Sequence, residues 1–129
     1  MNKILKIIFS AIFELEILND NDALIFNFND PLGIKNITLS YQDFVKIMDF
    51  ILKNKNFEMD YIMINEEKVI YIQHGIHYGI INYYTIGIEN EDFEGSIDIY
   101  ERDIDALCKK YNYIESFILE YFMNNIKIN

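Results

Sequence analysis

The chain contains no tryptophan, one proline, one cysteine and one arginine, and each scarcity narrows what it is. A lone cysteine, Cys108, excludes an intramolecular disulfide framework, so the fold must rest on its apolar core, as in a reducing compartment. The expected location is therefore cytoplasmic. Five glycines are too dispersed for a phosphate-cradling or dinucleotide-binding loop, and no nucleophile-elbow pattern occurs. No apolar run is long enough to span a bilayer. The stretch Lys3 to Phe13 resembles a leader, but Glu14 and Glu16 follow it at once and no small-residue cleavage site is present. No cofactor is expected.

Positive charge is also missing locally. Between Lys68 and Arg102 there is no basic residue, while Glu89, Glu91, Asp92, Glu94, Asp98 and Glu101 all fall in that interval. The formal net charge of −10 is thus concentrated in one segment. Such a surface repels nucleic acid and anionic membranes and accelerates encounter with basic partners. Ile, Asn, Lys, Tyr and Phe are heavily used, as AT-rich codons dictate, which points to a bacterial or phage source.

What is abundant is apolar and aromatic. At 51% hydrophobic residues over 129 positions, the chain can bury a core as a single domain, 1–129, without staples. From Val69 to Ile88 the residues are strand-like, and Ile76, Tyr78, Ile80, Tyr84, Ile86 and Ile88 repeat at period two. This predicts a central strand, entered through a turn at His74-Gly75 after a pairing of residues 57–64 with Val69–Gln73.

Residues 11–28 predict a one-sided hairpin. Phe13, Leu15 and Ile17 alternate with Glu14 and Glu16, and a four-residue turn at Asn19–Asp22 sets Ile17 against Leu24, Leu15 against Phe26 and Phe13 against Phe28. Ser40 with Asp43 supplies an N-terminal cap, after which Phe44, Ile47, Met48 and Ile51 recur at helical spacing, predicting a helix over 41–53. A second helix is expected over 101–123, about 34 Å long at ~1.5 Å per residue, with Asn112 as a possible break. An acidic loop, Glu89–Gly95, and a short strand, Ile97–Ile99, precede it.

At an offset of sixty, Ile37, Leu39, Asp43, Phe44, Ile47 and Met48 fall on Ile97, Ile99, Asp103, Ile104, Leu107 and Cys108. The expected fold is α+β: an antiparallel sheet of about five to seven strands with two helices packed on one face, and a possible internal duplication of a ββ(β)α unit. The opposite face, with Tyr61, Ile70, Ile72, Ile81 and Tyr83, would need a homodimer partner or a second sheet layer.

Three patterns bear on chemistry. Asn90-Glu-Asp92-Phe-Glu94-Gly95-Ser96-Ile97-Asp98-Ile-Tyr-Glu101 resembles an EF-hand calcium loop, with oxygen ligands at Asn90, Asp92, Glu94, Asp98 and Glu101 and Gly95 at the turn position. Asn90 replaces the usual aspartate, and the preceding residues read as strand, so the chain is expected to hold no metal. His74 and His77 offer two imidazoles without a third ligand at recognisable spacing. Cys108 falls on the apolar stripe of the last helix, where it packs as a small hydrophobe.

Tyrosine is a preferred interface anchor, and Tyr83-Tyr84 places one ring on each face of its strand. Together these features favour a non-catalytic acidic binding protein, in general character similar to bacterial immunity proteins and phage anti-CRISPR proteins. It would block a basic partner such as a nuclease or another nucleic-acid-binding effector through Glu89, Glu91, Asp92, Glu94, Asp98 and Tyr83. The alternative is a small enzyme or ligand-binding domain using the His74/His77 or acidic-loop region.

Overall fold

The computed structural model describes residues 3–18, 23–30, 33–54, 61–65, 67–91 and 94–128. Four strands and a helix come first: β1 (Lys3–Ile8), β2 (Phe13–Leu18), β3 (Ala23–Asp30), β4 (Gly33–Ser40) and α1 (Tyr41–Lys53). The same sequence of elements then recurs as β5 (Tyr61–Asn65), β6 (Lys68–His77), β7 (Ile81–Asn90), β8 (Glu94–Tyr100) and α2 (Glu101–Ile128). Each group of four strands forms its own antiparallel meander, β1-β2-β3-β4 and β5-β6-β7-β8.

The fold is therefore α+β as expected, with the strands divided between two sheets. The extra strand is β1, drawn from the apolar run that resembled a leader. None of the described helices is long and apolar enough to cross a membrane.

The first hairpin has the register that its alternation dictates: Ile17 lies opposite Leu24, Leu15 opposite Phe26 and Phe13 opposite Phe28. Its expected four-residue turn, 19–22, lies outside the described residues, as do residues 57–60 of the expected strand before β6. α1 spans 41–53, and the Ser40 hydroxyl accepts a hydrogen bond from the Asp43 amide at 3.1 Å. That bond satisfies one of the amides left open at a helix start. α2 runs through Asn112 without a break, to about 42 Å.

Three expectations for the second half are corrected. The turn falls at Tyr78-Gly79, not His74-Gly75: both turn residues have positive φ (53° and 72°), and the Ile80 amide bonds to the His77 carbonyl at 3.1 Å. The loop is three residues long, Tyr78–Ile80, and its two left-handed residues form the turn that closes the His77–Ile81 pair. The stretch 69–88 is consequently two strands, with Ile72 opposite Ile86 and Ile70 opposite Ile88. Ile70 and Ile72 therefore face the core, where the sequence reading had put them on the uncovered side. Finally, the expected acidic loop contracts, because Glu89 and Asn90 end β7 while Glu94 and Gly95 begin β8.

The offset of sixty survives in three dimensions. Ser40–Tyr41 and Tyr100–Glu101 are equivalent strand-to-helix junctions, and the buried pairs Ile37/Ile97, Leu39/Ile99, Asp43/Asp103, Phe44/Ile104 and Ile47/Leu107 occupy matching positions. The inner faces of both sheets and both helices share one continuous core. An aromatic column crosses it: Phe13 on Phe26 (5.6 Å between ring centres), Phe26 on Phe44 (5.8 Å) and Phe44 on Tyr111 (5.8 Å). Tyr111 in turn donates to Glu115 at 2.9 Å, and burial, followed by that bond, pushes its phenol pKa up.

The two buried helix-start carboxylates are each held by the other half. Lys68, at the start of β6, pairs with Asp43 of α1. Ser10, between β1 and β2, donates to Asp103 of α2 at 3.0 Å.

Phe26 is fully buried between Phe13 and Phe44, whereas Asn27 points to the outer face. Phe26→Ala is expected to cost about 3–5 kcal/mol and Asn27→Ala less than about 0.5 kcal/mol. Denaturant midpoints at constant slope measure both, and equal losses would contradict the packing.

Candidate partner-binding face

Because successive strand residues alternate between faces, burial of Ile70, Ile72, Tyr84, Ile86, Ile88, Ile97 and Ile99 dictates what the other face of the second sheet presents. Cross-strand register orders these residues in rows: Val69, Glu89 and Glu94; then Tyr71, Gly87 and Ser96; then Gln73, Thr85 and Asp98; then Gly75, Tyr83 and Tyr100. His77 follows at the hairpin end. Rows that carry acid thus alternate with rows that carry aromatic rings, Tyr71 next to Glu89 and Glu94, and Tyr83 and Tyr100 next to Asp98. Among the described residues this face carries no Lys or Arg.

Four of the six acidic-surface residues singled out from sequence share this face: Glu89, Glu94, Asp98 and Tyr83. Glu91 is exposed just beyond β7, and Asp92 lies outside the described residues. Asp98 is partly engaged, accepting from the Thr85 hydroxyl at 2.6 Å. Tyr84, the neighbour of Tyr83, is buried, so the two rings do divide between the faces.

Two glycines shape the aromatic part. A β-carbon on Gly87 would lie 2.0 Å from the Tyr71 ring, and one on Gly75 would lie 2.3 Å from the Tyr83 ring. Each tyrosine therefore folds across onto the glycine opposite it on the neighbouring strand. His77 stacks on Tyr83 with ring centres 4.1 Å apart and planes 15° apart, and meets Tyr100 edge-on at 6.1 Å. These seats depend on which residues face each other across two strands, so sequence reading alone missed them.

The outer face of the first sheet differs. There Glu14 pairs with Lys6 at 3.4 Å, so its acid is locally compensated.

The other sequence candidates do not assemble. Residues Glu94–Tyr100 are extended and paired with β7, and Gly95 sits opposite Ile88 in the ladder instead of at a loop turn. The backbone therefore lacks the wrapped form of an EF-hand loop, which corrects the resemblance read at Asn90–Glu101. No cluster of three or more metal-ligating side chains is present among the described residues. His74 and His77 have opposite parity on β6: His74 Nε2 lies 3.0 Å from Asn82 Oδ1 on the inner side, while His77 stacks on the outer side. They do not converge on one ligand. Cys108 is half-buried against the core, as its stripe position implied.

The β6–β7 hairpin also carries exposed apolar residues that the period-two reading had assigned to the core. Tyr78 is 93% exposed and Ile80 80% exposed. A shallow groove beside them is lined by Ile80, Ile81, Asn82, Tyr100, Glu101 and Arg102. A second groove, between the helices, is lined by Tyr41, Val45, Glu115 and Leu119 among others. Burial, followed by Glu115, raises the Tyr41 phenol pKa there.

If the Tyr71 ring occupies its glycine seat, Gly87→Ala should destabilise the fold by about 1–3 kcal/mol through forced displacement of the ring. In a Tyr71→Ala background the same substitution should cost much less. A double-mutant cycle from thermal or denaturant unfolding reads the coupling directly.

No family model matches the chain, and no curated protein matches it in sequence. Among solved structures, that of the plant transcriptional regulator PBF-2 aligns with 100% of this chain and 89% of that chain, at 12% identity and a TM-score of 0.46. A likeness at that level carries no inference about this chain.

Proposed function

We propose that this chain is a non-catalytic binding protein that applies the outer face of its second sheet to the basic surface of a partner protein. The observation that carries the reading is the composition of that face: Glu89, Glu94 and Asp98 beside Tyr71, Tyr83, Tyr100 and His77, with no described cation among them. Carboxylates on a rigid sheet can take the place that phosphates hold in a basic groove, and the tyrosine rings supply the apolar contact that gives a complex its lifetime. A nuclease or other nucleic-acid-binding effector has such a groove, and occupying it excludes nucleic acid by charge and by bulk. This is the mode of action implied by the general likeness to immunity and anti-CRISPR proteins.

The two kinds of contact should fail differently. Replacing Glu89, Glu91 and Glu94 together by Gln is expected to slow association and flatten its dependence on ionic strength, with the fold intact. Tyr83→Ala is expected instead to shorten the lifetime of the complex. The partner is first recovered by tagged pull-down at low and high salt, and kinetics are then followed at two or more salt concentrations. Unchanged association after triple neutralisation would place the interface elsewhere.

A further inference from the structure

Glu89 and Glu94 lie directly opposite each other across the β7–β8 ladder. Like charges in that relation destabilise a sheet. Among the described residues no cation lies within ion-pair distance of either carboxylate, so the free protein carries this repulsion uncompensated by them. The pair borders a groove lined by Val69, Tyr71, Gln73, Glu89 and Glu94. One row along, the Tyr71 ring is held across Gly87 at a position that leaves no room for a β-carbon beneath it. The groove thus combines two opposed carboxylates, an anchored aromatic ring, an amide and an aliphatic wall.

The geometry points to an arginine side chain of the partner as the occupant of this groove, an assignment that rests on the basic-partner reading above. A guanidinium is planar, stacks on an aromatic ring and presents a fork of donors to carboxylates, while its methylenes cover apolar surface such as Val69. A lysine ammonium satisfies the carboxylates as a point charge but lacks the planar match to Tyr71. The arginine offsets the Glu89–Glu94 repulsion and uses the ring at the same time. The groove accordingly selects arginine over lysine, whereas net charge alone does not.

The test uses hexa-arginine and hexa-lysine peptides, equal in side-chain charge, with an oligothymidylate as the nucleic-acid control, titrated calorimetrically against the full chain at about 0.15 M salt. Hexa-arginine is expected to bind about tenfold more tightly than hexa-lysine. Tyr71→Phe should keep that preference, and Tyr71→Leu should reduce it to within about twofold. Glu89→Gln with Glu94→Gln, at exposed positions that leave the core untouched, should weaken both peptides and shrink the gap between them. Equal affinity for the two peptides in the native chain, or a preference that survives both Tyr71→Leu and the double Gln variant, overturns the arginine assignment while the basic-partner reading stands. Failure of both peptides to bind, or preferential binding of oligothymidylate, overturns both.

Discussion

Neither sheet can keep its own apolar face dry, and this constraint organises the molecule. Phe13, Leu15, Phe26 and Ile37 on the first sheet, and Ile70, Ile72, Ile86 and Ile97 on the second, are all buried in one shared core with the helices. Each helix, amphipathic by spacing, closes part of the gap, and the column from Phe13 to Tyr111 threads both halves. The exchange of Lys68 for Asp43 and of Ser10 for Asp103 follows the same logic. A carboxylate buried at a helix start needs a partner, and the element that covers it belongs to the opposite half. Neither half is self-sufficient in polar satisfaction.

Once the inner faces are committed to each other, only the outer faces remain to differ. The first sheet's outer face offsets its acid with Lys6, whereas the second's leaves Glu89 and Glu94 opposed and its tyrosines seated on glycines. The division of labour is therefore between a repeated interior and an unrepeated exterior. Function is argued from the part that the repeat does not dictate.

The elements legible from sequence are those whose signals are local. The β2–β3 register follows from three aromatics on one side of a short hairpin, because a one-residue slip would put Phe13, Phe26 and Phe28 in water. α1 is legible from Ser40, Asp43 and a regular stripe. The turn at Tyr78-Gly79 is not, since Tyr78 and Ile80 continue the alternation set by Ile76 although they lie beyond the end of β6. β1 is masked by its likeness to a leader. The acidic residues of the candidate face stand out because charge of one sign is visible in a linear chain. Their union with Tyr71, and the seating of that ring on Gly87, follows only from register. The Ser10–Asp103 contact joins residues 93 apart, and no pattern in the chain announces it.

The uncharged hairpin has a consequence for how the chain reaches this state. β6 and β7 make ten ladder pairs from Lys68–Asn90 to His77–Ile81, closed by a three-residue loop, so the longest pairing in the fold carries only a small loop-closure cost. Hairpins of this kind form in about 1–10 μs, well before contacts such as Lys68–Asp43 can be made across the halves. Between Val69 and Ile88 there is no Asp, Glu, Lys or Arg to discourage strand-on-strand addition. Until the first sheet and the helices arrive, both faces of this ribbon are sticky. The rate at which the other half docks therefore sets how concentrated a refolding chain can be before it meets its own copies.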